Sequence, residues 1–138
     1  MSVAERERPL GRGTTYLLVA GDVLAIVLFV VLGFRSHHIQ VHYLANLIRV
    51  ATPLLAGWFI VSMFTGAYRP TAVLGEFMKR SALTWIGGIL LGLLIRGLVL
   101  REGFIFTFML VTLAVTGVLL LGWRLVYFLI ISGRSPSR

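Results

Sequence analysis

Apolar residues along this chain come in long unbroken runs, and polar residues gather between them. Four stretches stand out: Thr14–Phe34, Val50–Tyr68, Ser81–Leu100 and Phe104–Ile131. Runs such as Ala25-Ile26-Val27-Leu28-Phe29-Val30-Val31-Leu32 do not alternate, unlike the roughly ten-residue alternating strands of a membrane barrel. Each stretch has at least about the 20 residues that an α-helix needs to cross a hydrocarbon core, and the last, with 28, is expected to tilt, bend or extend past it. A backbone in lipid must satisfy its own hydrogen bonds, so the runs are predicted to be helices. The expected architecture is all-α, an integral membrane four-helix bundle. One transmembrane domain, 14–131, is flanked by tails 1–13 and 132–138.

The connections are short: 35–49, 69–80 and 101–103. The last forces helices 3 and 4 to be antiparallel neighbours. Pro70 and Gly103 mark turns. His42, Asn46 and Arg49 fall at i, i+4 and i+7, one helical stripe, so helix 2 can extend outward from about Val41. Pro53, further in, removes an N–H from that helix and is expected to bend it. The second connection carries Ala72-Val73-Leu74 and Phe77-Met78 before Lys79-Arg80. It reads either as a segment lying along the membrane interface or as a plain short loop.

Composition excludes most other classes. Of 138 residues, 58% are hydrophobic and only 13% charged, with a mean hydropathy of +0.94. A soluble domain carries about twice that charged fraction. The absence of cysteine removes disulfides, thiolate metal sites and thiol nucleophiles. The net charge of +8 would suggest a polyanion for a soluble protein, but here it maps onto topology. Arg6, Arg8, Arg12, Arg69, Lys79, Arg80, Arg134 and Arg138 fall on one side, and Arg35, Arg49 and Arg101 on the other. That bias places both termini in the cytoplasm. The first stretch exceeds the roughly 7–15 apolar residues of a signal-peptide core and lacks a small-residue cleavage pattern. It reads as a retained helix that doubles as the targeting signal.

Ionisable residues within the spans are costly and require a reason. Asp22, Arg96 and Arg124 are the three, read together as an intramembrane charge network that is either structural or a proton or ion site. Asp22 and Arg124 lie at matching depths from the inner helix ends, which predicts a pair between helices 1 and 4. Two other readings stay open: Asp22 held by Thr or Trp donors while Arg124 snorkels, or Asp22 as a titrating site. Arg96 sits near the outer end of helix 3, where it can reach the interface or meet Glu102. Arg35, His37, His38, His42, Arg49 and Arg101 gather on the same side. They form a cluster for anionic headgroups or an anionic ligand, or simple interface anchors. His38 and His42 share metal-like i, i+4 spacing but lack a third ligand, so no metal is expected. Gly88-x-x-x-Gly92 and Gly21-x-x-x-Ala25 mark close helix packing. Trp58, Trp85 and Trp123 lie within spans, and Asp22 is a candidate acceptor for Trp85 or Trp123. Gly57-Trp58 and Gly122-Trp123 are compatible with an internal repeat of helical hairpins, but chance alignment of apolar helices explains them more readily.

Gly21-Asp22, Arg35-Ser36-His37, Pro53 with Gly57-Trp58, Thr84-Trp85, Leu94-Ile95-Arg96 and Gly122-Trp123-Arg124 together carry a resemblance. The chain resembles a prokaryotic four-helix membrane-protein family catalogued only as a domain of unknown function. The resemblance implies an integral membrane fold and a prokaryotic plasma membrane, and supplies no activity. Small multidrug-resistance transporters share the four short helices and one acidic residue in the first. Their dual topology and glutamate at that place set them apart from this chain.

No phosphate-binding, dinucleotide or hydrolase motif is present, and one intramembrane carboxylate cannot form an acidic pair. An enzyme is not expected, and no cofactor. The leading expectation is a structural or accessory membrane bundle. The alternative is a small proton-coupled transporter or channel centred on Asp22, and a third option is a lipid- or quinone-binding module using Arg and Trp. Expected partners are the lipid bilayer and its anionic headgroups, with a homo-oligomer or larger membrane complex left open. Nucleic acid is not among them.

Overall fold

The computed structural model describes residues 12–38, 40–69, 73–101, 103 and 105–133, except the side chains of 12–14, 132 and 133. Arg6, Arg8, Arg134, Arg138, Pro70, Ala72 and Glu102 therefore lie outside the described residues, with most of both tails. Four helices follow in order: α1 Arg12–Ser36, α2 Tyr43–Thr65, α3 Leu74–Leu100 and α4 Phe106–Gly133. All four are long and apolar enough to cross a membrane. Each packs on its neighbours in sequence, and α1 against α4 closes the ring. The start of α1, the end of α4 and the turn after α2 share one end, called proximal here. The turns after α1 and α3 share the distal end.

Two helices start earlier than hydropathy alone suggests. α2 begins at Tyr43, close to the extension expected from about Val41, and Pro53 is built into it. It also stops at Thr65, because Gly66 takes a left-handed φ of 71° and its N–H donates to Ser62 O. Glycine enters that conformation without a Cβ penalty, which is how many helices end. Tyr68 is thereby released into a turn. α3 begins at Leu74, so Leu74–Arg80 forms its first two turns, not an interfacial segment or a loop. Glu76, Lys79 and Arg80 lower the local hydropathy. Their spacing is nevertheless helical: Arg80 Nε donates to Glu76 Oε1 at 3.0 Å across one turn, and Phe77 is buried.

The inward stripe of α1 runs Leu18, Asp22, Ala25, Ile26, Phe29 and Phe34, the i, i+4, i+7 spacing of one helical face. Leu54 and Trp58 of α2, Ile89 and Leu93 of α3, and Leu120 of α4 complete the main core. The outward faces are apolar too, with Leu24, Leu83, Leu98 and Val118 all exposed. A soluble helix would present polar residues there.

The α2–α3 seam is backbone against backbone. A Cβ added to Gly57 would fall 2.3 Å from Gly88 O and 2.4 Å from Gly92 N. One on Gly92 would fall 2.8 Å from Leu54 Cα. The Gly88-x-x-x-Gly92 motif thus serves contact within the chain. Gly21 and Gly117 instead seat indoles: added Cβ atoms would strike the rings of Trp123 and Trp85 at 2.0 and 2.7 Å. Gly122 faces open space, so the two Gly-Trp pairs have different surroundings. Gly57→Ala is expected to lower stability by about 1–3 kcal/mol, because a backbone atom must move. Gly122→Ala should be neutral or gain up to about 1 kcal/mol from helix propensity. Thermal unfolding in micelles would separate the two.

Candidate functional site

The proximal half of the bundle encloses a polar network. Asp22 lies 10 residues into α1, about 15 Å along the axis, and Arg124 lies nine residues before the end of α4, about 14 Å. Neighbouring antiparallel helices bring such positions together. Arg124 Nη2 donates to Asp22 Oδ2 at 2.6 Å, and Nε donates to Oδ1 at 3.1 Å. This is the two-point fork that makes arginine the cation of choice for a carboxylate. Both side chains have 0% exposure.

The remaining valences are filled from α2, α3 and the turn between them. Arg124 Nη1 donates to Ala67 O at 3.0 Å and to Ser81 Oγ at 3.1 Å. Ser81 in turn donates to Phe77 O at 2.8 Å. Tyr68 donates its phenol to Asp22 Oδ2 at 2.6 Å, and Trp58 Nε1 donates to Tyr68 Oη at 2.9 Å. Asp22 therefore accepts three hydrogen bonds and Arg124 donates four. Burial, reinforced by the Asp22 carboxylate, pushes the Tyr68 phenol above its ordinary value, so the turn residue remains a donor. The guanidinium carbon lies 5.2, 5.1 and 5.7 Å from the ring centroids of Trp58, Tyr68 and Phe77. Aromatic faces attract a desolvated cation. The cage thus compensates by rings, dipoles and a counter-charge what Arg124 loses in hydration.

The tryptophans sort differently from the expectation that Asp22 accepts from Trp85 or Trp123. Trp85 Nε1 donates to Leu113 O at 3.0 Å, across the α3–α4 contact. Trp123 is seated on Gly21. The aromatic nearest in role to Asp22 is Tyr68, which sequence reading passed over because it fell at the end of an apolar run. Gly66 was the available signal that the run breaks first.

Arg96 does not join Asp22 and Arg124. It lies four residues from the distal end of α3, about 6 Å, whereas Arg124 lies about 27 Å from the distal end of α4. The predicted three-residue network is therefore two separate features. Arg96 stacks its guanidinium over Phe108 at 4.9 Å and lines a cavity of about 320 Å³ together with His37, Asn46 and Arg49. Arg35 and His38 line a neighbouring hollow of about 400 Å³. His42 and Arg101 are exposed and flank α2 and α3, each with left-handed backbone, φ 49° and 53°. His38 has φ 54°, so His38 and His42 sit in a turn, not on one helical face. Among the described residues no three His, Cys, Asp or Glu side chains group as a metal site would need.

A closed ring of four apolar helices, locked by the buried Asp22–Arg124 ion pair, defines the class of protein. The chain belongs to the family described as Protein of unknown function (DUF3054), whose model matches residues 19–127. That interval contains Asp22, Trp58, Tyr68, Ser81, Arg96 and Arg124. No curated protein and no solved structure matches the chain.

Tyr68→Phe removes the donor to Asp22 and the acceptor of Trp58 in one step. It is expected to cost about 1–3 kcal/mol, the penalty for stranding buried polar groups. Tyr16→Phe, at an exposed ring, should change nothing. Denaturant titration of both variants in micelles measures the difference.

Proposed function

We propose that the chain is a multi-pass protein of a prokaryotic plasma membrane, with both termini cytoplasmic, that acts as a non-enzymatic structural or accessory bundle. The observation that supports this reading best is the sealed state of the internal charges. Asp22 and Arg124 have 0% exposure and are bound to each other and to four further groups. A carboxylate that carries protons must be reached by water. The two-point arginine partner instead occupies both Asp22 oxygens and holds helix 1 in register against helix 4.

The orientation follows from the basic residues, which favour the cytoplasmic side. The cysteine-free sequence makes it simple to test. Gln40→Cys at the distal end is expected to react with an impermeant maleimide on intact cells. Ser137→Cys is expected to react only after the cells are opened. The reverse pattern contradicts the orientation.

The transporter reading centred on Asp22 is tested by flux. Proteoliposomes of the full chain, loaded with a pH-reporting dye, should dissipate an imposed proton gradient no faster than empty vesicles. Proton flux that disappears in Asp22→Asn would replace the accessory reading with the transporter one.

A further inference from the structure

The distal cavity is a chamber that all four helices line. Phe29 and Val30 of α1, Val50 of α2, and Phe108 and Val111 of α4 make its walls largely apolar. One turn deeper, Ile26 and Leu54 are 0% exposed, so the core closes the floor. The volume, about 320 Å³, lies at the lower end of the range for small-ligand pockets. It equals that of about ten waters in the liquid.

One cation reaches this chamber without an acidic partner. Asn46, Arg49, Val50, Pro53 and Leu54 follow the i, i+3, i+4, i+7, i+8 spacing of one helical face, and Pro53 and Leu54 of that face are buried. Arg49 thus lies on the packed face of α2, yet it is exposed. What exposes it is the chamber that it lines. Side chains lean towards the N-terminus of their helix, and α2 begins at the distal end, so Arg49 leans to the mouth. No Asp or Glu lines the chamber. The two described acids, Asp22 and Glu76, are taken by Arg124 and Arg80. Arg96 also lines the chamber but is engaged elsewhere, stacked over Phe108 at 4.9 Å. Neutral polar groups accompany Arg49. Asn46 donates one side-chain N–H to Val41 O at 3.1 Å and keeps a second. His37 adds its imidazole from the end of α1.

We propose that this chamber binds one medium-chain fatty acid, with its carboxylate on the Arg49 fork and its tail along Phe29, Val50 and Phe108. Arginine cannot shed its charge, and its fork meets a carboxylate through two parallel hydrogen bonds. One guanidinium balances one negative charge, and Asn46 and His37 add hydrogen bonds without adding fixed charge. A doubly charged phosphate monoester would leave a charge unmatched. Two long tails exceed the volume, and an uncharged alkyl chain leaves Arg49 unpaired beside an apolar wall. The inference rests on the chain being membrane-embedded, and on neither its orientation nor any transport activity.

Calorimetric titration of the full chain in an uncharged maltoside detergent tests this, with decanoate as the probe at mildly alkaline pH, where it is ionised. Decanol offers the same tail without the charge, and butyrate the charge with little tail. At equal free concentration, decanoate is expected to bind at least about tenfold tighter than either, the scale of one charge-assisted contact. Arg49→Gln should lose about tenfold for decanoate and nothing for decanol. Gly33 lines the chamber, and a Cβ there meets nothing within 4 Å. Gly33→Leu therefore fills space without displacing the fold and should weaken both ligands, which provides a second variant if Arg49→Gln does not fold. Arg35→Gln, at the neighbouring hollow, should bind as wild type. Decanol binding as tightly as decanoate would make this an apolar groove, and butyrate binding as tightly would make it a free-anion site. Either result overturns the proposal, as does full decanoate affinity in Arg49→Gln or in Gly33→Leu. Proton flux in vesicles bears on Asp22 alone, so its outcome and this one are independent.

Discussion

A carboxylate and a guanidinium placed among apolar side chains constrain everything around them. Neither can face lipid without a cost of about 2.5–3.5 kcal/mol on insertion scales, so helices 1 and 4 must meet with Asp22 opposite Arg124. The pair alone leaves lone pairs and N–H groups unfilled. Ala67 O, Tyr68 and Trp58 therefore bring in α2 and the turn after it, and Ser81 brings in α3. Hydrophobic burial gives little direction to helices that are apolar on every face. The network supplies that direction, because only one rotation and register of each helix satisfies it.

Close packing then works within the frame that the charges set. Gly57, Gly88 and Gly92 let α2 and α3 touch through their backbones, which brings Trp58 and Ser81 to the same buried level as Arg124. Trp123 on Gly21 and Trp85 on Gly117 fill the two seams made by α4. The polar groups divide by end. The proximal half uses them on one another, and the distal end presents arginine, histidine and asparagine to two hollows. The first arrangement suits a lock.

Much of this was legible in the sequence. Four spans follow from run length alone, and the Asp22–Arg124 meeting follows from counting residues along two antiparallel helices. Family membership was readable from short motifs in order. What escaped has physical causes. The start of α3 was set seven residues late because Glu76, Lys79 and Arg80 depress hydropathy, although Glu76 and Arg80 pair within the helix. The grouping of Arg96 with Arg124 treated burial in a span as proximity, when the two lie about 20 Å apart along the bundle axis. Tyr68 and the Ala67 carbonyl belong to a turn that exists because Gly66 ends α2 early. Periodicity does not see turns that place one atom in a core. The distal cavity needs four helices at once, so no single segment announces it.

The central claim is that Asp22 and Arg124 act as one unit that closes the ring. A double-mutant cycle of Asp22→Leu and Arg124→Met, followed by equilibrium unfolding in micelles, tests it directly. Each single change should cost about 3–5 kcal/mol because it strands a buried charge, and the double change should cost far less than their sum. Additive costs, or single variants as stable as the original chain, would contradict the account.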